Sequence, residues 1–194
     1  MGTYGLMRFS IPICPESFVR AIPVLSALSL VGIVYGAWVA FQQTDMKKLV
    51  AYSSVSHLGF VVLGLCALNR EGLTGSVLQV INHGVSSGAL FLLVGMLYER
   101  RHSRMFEDFG GLASVMPWYA LFLVFVSCSS MAVPGLNGFV GETLILLGAF
   151  KANPVWAYIA VTAALFGALY LLVMLKKVLF GPVTSGENKK LKDL

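Results

Sequence analysis

One apolar stretch, residues 112–150, is too long to cross a membrane as one straight helix. At 1.5 Å per residue it would extend nearly 60 Å, whereas a hydrocarbon core is about 30 Å thick. Its middle reads "MAVPGLNGFVGE". Pro134 removes a backbone donor, and Gly135 and Gly138 loosen the chain. We therefore expect a broken helix with irregular backbone near the membrane centre. Such backbone is stable in a membrane only where protein buries it or internal water hydrates it.

Four further apolar segments have the length of one membrane-spanning helix each. They are residues 21–41, 49–68, 73–98 and 152–175. Hydrophobic residues make up 57% of the chain and charged residues only 12%, whereas a soluble domain has about 45–50% and about 25%. The sequence therefore predicts an all-α, polytopic transmembrane bundle of about five spans, one of them broken.

The basic residues predict how the bundle is oriented. With five spans, one set of loops carries ten of them: Lys47, Lys48, Arg100, Arg101, Arg104, Lys176, Lys177, Lys189, Lys190 and Lys192. The other set carries four: Arg8, Arg20, Arg70 and Lys151. Because basic loops stay in the cytoplasm, we expect the C-terminus there. The net charge of +5 is therefore explained by basic residues in the loops between spans. It does not indicate nucleic-acid binding, and we expect no nucleic acid as a partner.

The chain divides into three regions by composition. Residues 1–15 resemble the tail of a truncated preceding helix, ended by Pro12 and Pro15. Residues 16–181 form the five-span transmembrane domain, and residues 182–194 form a polar cytoplasmic tail that we expect to be mobile in isolation. The sequence has no GxGxxG motif, no P-loop and no haem or iron–sulfur ligand set. We therefore expect no cofactor and no metal in this chain.

Glu142 is the candidate functional acid, because it alone of the nine acidic residues lies inside an apolar span. An unpaired charge at the membrane centre costs roughly 2.5–3.5 kcal/mol on insertion scales, so such residues usually face a bundle interior or a water cavity. A structural glutamate bonded to a neighbouring helix is the alternative.

His57 and His83 lie within the second and third apolar segments, in "SSVSHLGF" and "VINHGVSSG". Histidine titrates in the physiological range and can pass a proton through either ring nitrogen. Neighbouring serines allow close helix packing and can hold internal water. The alternative for each is a core histidine that bridges two helices.

Lys48 is a weaker candidate at the start of the second segment. It lies nine residues from His57, about 13–14 Å along a helix, which is too far for contact but bridgeable by water. The favoured interpretation for Lys47 and Lys48 is that they anchor the span by extending to the membrane surface.

Three sequence segments resemble those of a known family: "FQQTDMKKLVAYSSVSHLGF", "INHGVSSGALFLLVGMLYERRHSR" and "MAVPGLNGFVGE". Together they resemble the antiporter-like membrane subunits of respiratory complex I, of the type called subunit M in bacteria and subunit 4 in mitochondria. Related subunits of multi-subunit cation/proton antiporters and membrane-bound hydrogenases remain alternatives.

The resemblance implies proton translocation coupled to quinone reduction in other subunits of NADH–quinone oxidoreductase. It also implies a fold of two inverted five-helix repeats, each with one broken helix. Glu142 would be the key protonatable residue of the second repeat, and His83 and His57 would belong to its proton path. The implied surroundings are a bacterial inner membrane, internal water and the other membrane subunits of complex I.

The chain departs from this family in length. It covers about the second inverted repeat, so we expect a C-terminal partial chain whose first half is a further partner. The family's first-half glutamate and lysines have no position here. A truncated remnant that transports nothing is the remaining alternative.

Overall fold

The computed structural model describes residues 1–183 and 185–193, and it confirms an all-α bundle. The helices, in chain order, are α1 Gly2–Gly5, α2 Ile11–Ile13, α3 Pro15–Phe41, α4 Met46–Cys66, α5 Arg70–Arg101, α6 Leu112–Val115, α7 Pro117–Ser130, α8 Asn137–Ala152 and α9 Pro154–Leu179. A π-helical segment, Leu6–Ser10, joins α1 to α2, and short 3-10 helices cover Phe106–Asp108 and Asn188–Lys190. Within the described residues, the extended structure recorded is one bridge between Asp45 and Met105.

Four helices, α3, α4, α5 and α9, are long and apolar enough to cross a membrane. They match the four unbroken segments of the sequence. Each of the four extends by several residues into at least one charged end: α5, for example, begins at Arg70 and ends at Arg101 rather than covering residues 73–98. Apolar content marks only the lipid-facing length of a helix, whereas backbone hydrogen bonding continues through the charged ends.

The long apolar stretch is broken as predicted. Helix α7 ends at Ser130 and α8 begins at Asn137, with turns between them. At about 21 Å and about 24 Å, neither half spans a hydrocarbon core alone. Gly135 adopts φ +94° and Ala132 φ +54° in this break. A second interruption, at Met116, separates α6 from α7 because Pro117 disfavours helical geometry in the residue before it.

The N-terminal segment differs from the prediction in one detail. Pro12 does not end a helix but lies within α2. The interruption falls at Cys14, with φ −128° and ψ 58°, immediately before Pro15 opens α3. The first span therefore begins at Pro15 rather than at residue 21, with Glu16 in its first turn.

Helix α4 forms the centre of the bundle, since 67% of its span is buried against 33% for α3, α5 and α9. Helix α3 shows the contrast between its two faces. Its exposed residues form an apolar stripe: Val24, Leu28, Val31, Tyr35 and Trp38. Its buried face is rich in small residues, which lets α4 approach closely: Ser26, Ser29, Gly36, Ala37 and Ala40.

Helix α8 packs against α5, α9 and α4, which places its carboxylate among three helices. Glycines line the contact with α5. A Cβ atom on Gly75 would lie 2.7 Å from the Ile145 backbone nitrogen, and one on Gly148 would lie 2.5 Å from the Gly72 nitrogen. The two helices therefore touch backbone to backbone.

The described residues of the polar tail, 182–183 and 185–193, include two that hydrogen-bond to the rest of the chain, which the sequence analysis did not predict. The fully buried Asn188 accepts a hydrogen bond from Arg101 Nε at 3.1 Å and donates to the Asp108 carbonyl oxygen at 2.9 Å. Asp193 accepts from the Trp118 and Tyr119 backbone N–H groups at 2.9 and 3.0 Å. An unpaired helix start attracts such a carboxylate, which explains why a polar segment stays attached.

Candidate functional site

The site centres on Glu142 of α8, which is 8% exposed. Its Oε1 atom lies 3.1 Å from His57 Nδ1 of α4 and accepts a hydrogen bond from Gln79 Nε2 of α5, also at 3.1 Å. His57 and Gln79 are 7% and 3% exposed. Three helices thus contribute one side chain each to a buried, connected cluster. The carboxylate is buried and hydrogen-bonded rather than isolated, as the cost of its burial requires.

The protonation state of Glu142 decides the direction of the histidine bond, because a ring nitrogen of histidine can donate or accept. An amide nitrogen can only donate, so Glu142 Oε1 is an acceptor. With an ionised Glu142, His57 carries its proton on Nδ1 and donates it to the same oxygen. The Nε2 atom of His57 then offers a lone pair. It is buried and has no hydrogen-bond partner among the residues that the structure describes.

His83 lies beside His57, with 5.3 Å between the ring centroids and 40° between the ring planes. Both rings line a cavity of about 10 Å³ in which the centre of a water molecule can move. That volume holds about one water molecule, provided that polar groups surround it. The other polar groups that line it are Gln79, Asn82, Ser86, Ser129 and Ser130. The cavity therefore connects the two rings through a polar space.

The break between α7 and α8 closes this cavity with a polar network. Asn82 Nδ2 donates to the Asn137 carbonyl oxygen at 2.7 Å, and Ser86 Oγ lies 2.8 Å from Ser129 Oγ. The Ser129 hydroxyl also bonds to the Asn137 side chain. The side chains of α5 thus bond to both ends of the break, at Ser129 and at Asn137. A Cβ on Gly138 would come within 2.4 Å of the Ser129 carbonyl oxygen, so glycine is required here.

On its other side, Glu142 reaches two further cavities. One, of about 10 Å³, is lined by Glu142, His57, Ser56 and Tyr170 of α9, among others. The second, of about 260 Å³, lies between α8 and α9 and includes Thr143 with mostly apolar neighbours. Glu142 therefore stands between the histidine cavity on one side and open space beside α9 on the other.

The structure brings together three of the four predicted site residues: Glu142, His57 and His83. It does not bring in Lys48, which lies in the first turn of α4 with an exposed side chain. Its backbone N–H donates to the capping residue Asp45 at 3.2 Å. Nine helical residues separate it from His57, about 13–14 Å.

Gln79 and Asn82 are site residues that the sequence analysis missed. Gln79 is one helical turn from His83, and that i, i+4 spacing places both side chains on one face of α5. Neutral amides are unremarkable in a single helix, however. The i, i+4 spacing between Gln79 and His83 was the one sequence signal that could have identified Gln79 as a site residue.

The comparison with protein families finds one match. Residues 1–167 match the family described as NADH:quinone oxidoreductase/Mrp antiporter, transmembrane. The chain is 46% identical over 186 residues to NADH-quinone oxidoreductase subunit M of Pseudomonas aeruginosa, covering 96% of this chain and 36% of that protein. It is 41% identical over 194 residues to NADH-ubiquinone oxidoreductase chain 4 of Marchantia polymorpha, covering 100% and 39%.

The fold is similar to that of a chain in the solved respiratory complex I from Thermus thermophilus with bound NADH. The TM-score is 0.94 at 38% identity, over 100% of this chain and 40% of that chain. The chain thus spans between 36% and 40% of the length of these three proteins.

Proposed function

We propose a proton-translocating role for this chain, which belongs to the NADH:quinone oxidoreductase/Mrp antiporter transmembrane family. It is an integral membrane protein whose relatives are oxidoreductase subunits. In the proposal it acts within an NADH–quinone oxidoreductase as a subunit without a redox centre, while other subunits reduce the quinone. The proposed setting is a bacterial inner membrane, with the C-terminus in the cytoplasm and the rest of the subunit and other membrane subunits as partners.

The observation that carries the proposal is the contact between His57 Nδ1 and Glu142 Oε1 at 3.1 Å. Ionisable groups paired inside a membrane bundle mark proton pathways in pumps and transporters. The pair lies beside a polar cavity that also reaches His83. In the proposal, protons pass from His83 through His57 to Glu142.

The proton movement balances at each step. A proton from the cavity, or from His83, binds to His57 Nε2, and the proton on Nδ1 passes to Glu142 Oε1. The imidazole is then neutral in its other tautomer and the carboxyl group is protonated. Glu142 releases its proton to a water molecule in the space beside α9. His57 returns to its first tautomer by the net shift of one proton from Nε2 to Nδ1 through water, which leaves the ring neutral.

Transport against a membrane potential needs an outside drive. Moving one charge against 100 mV costs about 2.3 kcal/mol. In the proposal, redox steps in partner subunits supply that free energy and change the hydration or charge near Glu142. Lys48 is retained as a peripheral candidate that would exchange protons with the path through water.

The test is Glu142→Gln in the full subunit within its native assembly. The amide keeps the size and a hydrogen-bonding oxygen but cannot carry the proton. We expect proton pumping and the coupled NADH–quinone activity to fall about tenfold or more, because a positioned proton-transfer group contributes on the order of 10²–10⁴-fold. Pumping is followed by fluorescence quenching in vesicles, and assembly by native gel electrophoresis.

Glu107→Gln is the matched control, since Glu107 is an exposed carboxylate outside the bundle. It should leave pumping unchanged. Normal pumping by an assembled Glu142→Gln variant would remove the proposed role.

A further inference from the structure

A groove at the membrane end that carries Lys47 and Arg104 combines a basic rim with an apolar wall. It encloses about 300 Å³. Its lining residues are Lys47, Phe91, Val94, Gly95, Tyr98 and Arg104. The wall is formed by the last turns of α5, and the rim by the start of α4 and the loop after α5. This rim groove is separate from the Glu142 cluster.

The rim is held in place by backbone hydrogen bonds. Met46 N–H donates to the Arg104 carbonyl oxygen at 3.0 Å, and Phe106 N–H donates to the Thr44 carbonyl oxygen at 3.0 Å. These bonds join the loop before α4 to the loop after α5. The two basic residues therefore stand on a fixed framework at the mouth of the groove.

The rim carries an uncompensated positive charge. One oxygen of Asp45 accepts the N–H groups of Lys47 and Lys48, and its other oxygen lies 3.6 Å from Arg104 Nε. The two positive charges of Lys47 and Arg104 and the one negative charge of Asp45 sum to one net positive charge. Among the described residues, the Lys47 ammonium makes no ion pair, and its side chain is exposed.

Arg104 is oriented toward the groove by an aromatic ring. Its guanidinium carbon lies 5.2 Å from the centroid of the Tyr98 ring. One face of the guanidinium stacks on the Tyr98 ring, and its Nε atom faces Asp45. The two terminal nitrogens are therefore left to donate hydrogen bonds to a ligand. Two parallel N–H groups of a guanidinium match the oxygens of a phosphate group.

The wall continues the groove into the membrane. From Tyr98 to Phe91 it descends about 10 Å along α5. A Cβ atom added to Gly95 meets nothing within 4 Å, so the wall is open at that residue. Phe91 is 36% and Tyr98 43% exposed. An elongated apolar chain attached to an acidic head would contact both parts of the groove.

We propose that the rim groove binds an anionic phospholipid, with the phosphate between Lys47 and Arg104 and an acyl chain along Phe91 and Gly95. Basic pockets beside apolar helix surfaces on the cytoplasmic side favour acidic lipids. The predicted cytoplasmic position of this end agrees with that preference. The inference does not depend on the proton path.

The charge of the site is tested with Lys47→Gln and Arg104→Gln in the full subunit within its native assembly. Binding of phosphatidylglycerol and of phosphatidylcholine with the same acyl chains is measured by native mass spectrometry. Each variant should lower phosphatidylglycerol affinity about fivefold, equivalent to about 1 kcal/mol per removed cation. Phosphatidylcholine binding should change little. Lys176→Gln is the control, because it removes an exposed cation at the same membrane end outside the groove.

The wall is tested independently with Gly95→Leu, which fills the open position without changing charge. It should weaken binding of both lipids, whereas Gly88→Leu, also with free space on α5, should weaken neither. Equal lipid binding by wild type and the Lys47, Arg104 and Gly95 variants would overturn the proposal. So would finding another polypeptide segment seated in the groove of the assembled protein.

Discussion

At the scale of single residues, the site depends on how the Glu142 carboxylate is held. Gln79 Nε2 donates to Oε1, and His57 Nδ1 lies 3.1 Å from the same oxygen and donates to it when Glu142 is ionised. Hydrogen bonds to a charged group are stronger than those between neutral groups, each contributing about 1.5–3 kcal/mol. Gln79 is not itself ionisable, so it orients the acid rather than carrying the proton.

Replacing Gln79 tests that orienting role. Gln79→Met keeps the approximate shape but removes the amide donor, so Glu142 should lose one of its two fixed contacts. We expect a several-fold lower pumping rate in vesicles, less severe than for Glu142→Gln, with assembly retained. Gln42→Met, at the exposed end of α3, is the control and should pump normally. An unchanged rate in Gln79→Met would show that His57 alone positions the acid.

The sequence identified Glu142, His57 and His83 because ionisable groups stand out in apolar segments. It did not reveal their mutual contacts. His57 and Glu142 are 85 residues apart, and their pairing depends on how α4, α5 and α8 meet. Their roles stay predictions until the variants are measured.

At the scale of helices, the close contact of α5 with α8 determines where Glu142 lies. The contact has no room for side chains at Gly75, where a Cβ would come within 2.7 Å of the Ile145 nitrogen and 2.9 Å of the Gly141 carbonyl oxygen. These are backbone atoms of α8, so α8 must move if the residue grows.

Gly75→Ala should therefore destabilise the bundle by about 1–3 kcal/mol through overpacking. Gly88→Ala on the same helix meets nothing within 4 Å and should be neutral or stabilising by up to about 1 kcal/mol through helix propensity. Thermal denaturation of both variants in detergent checks the difference. If the two midpoints coincide, α5 and α8 do not pack backbone to backbone.

Helix positions were predictable because the length of an apolar run is a direct consequence of membrane thickness. The break was predictable from Pro134 and two glycines. The left-handed Ala132, at φ +54°, was not, since alanine carries no local signal for that geometry. Helix ends were missed where charged residues continue the helix beyond the lipid, as at Arg70 and Arg101.

At the scale of the whole molecule, the charge distribution predicts which end faces the cytoplasm. The loop after α5 and the docked tail lie together, joined by Arg101 and Asn188. The start of α5, at Arg70, lies at the opposite end of that helix. The positive-inside rule predicts that the first group lies in the cytoplasm.

Cysteine labelling tests this orientation. In a cysteine-free background, Glu107→Cys should react with a membrane-impermeant maleimide only in inside-out vesicles. Arg70→Cys should react only in right-side-out vesicles, and both positions are exposed. The reverse pattern would invert the topology.

The family match covers most of this chain, but the chain spans 40% or less of the three relatives compared. Docking of the tail on α5 and α7 was not predictable, because a polar composition does not reveal that Asn188 is buried against Arg101. Proton movement through the remaining length of the subunit belongs to the proposal and not to the described residues.

The central claim is that His57 and Glu142 act as one proton path, and a double-variant cycle tests it most directly. Proton pumping is measured in vesicles for His57→Gln, Glu142→Gln and the combined variant, each in the assembled full subunit. Residues that act as a unit are not additive, so we predict that the double variant pumps no more slowly than Glu142→Gln alone. Losses that multiply, with His57→Gln lowering the rate equally in both backgrounds, would contradict a shared path.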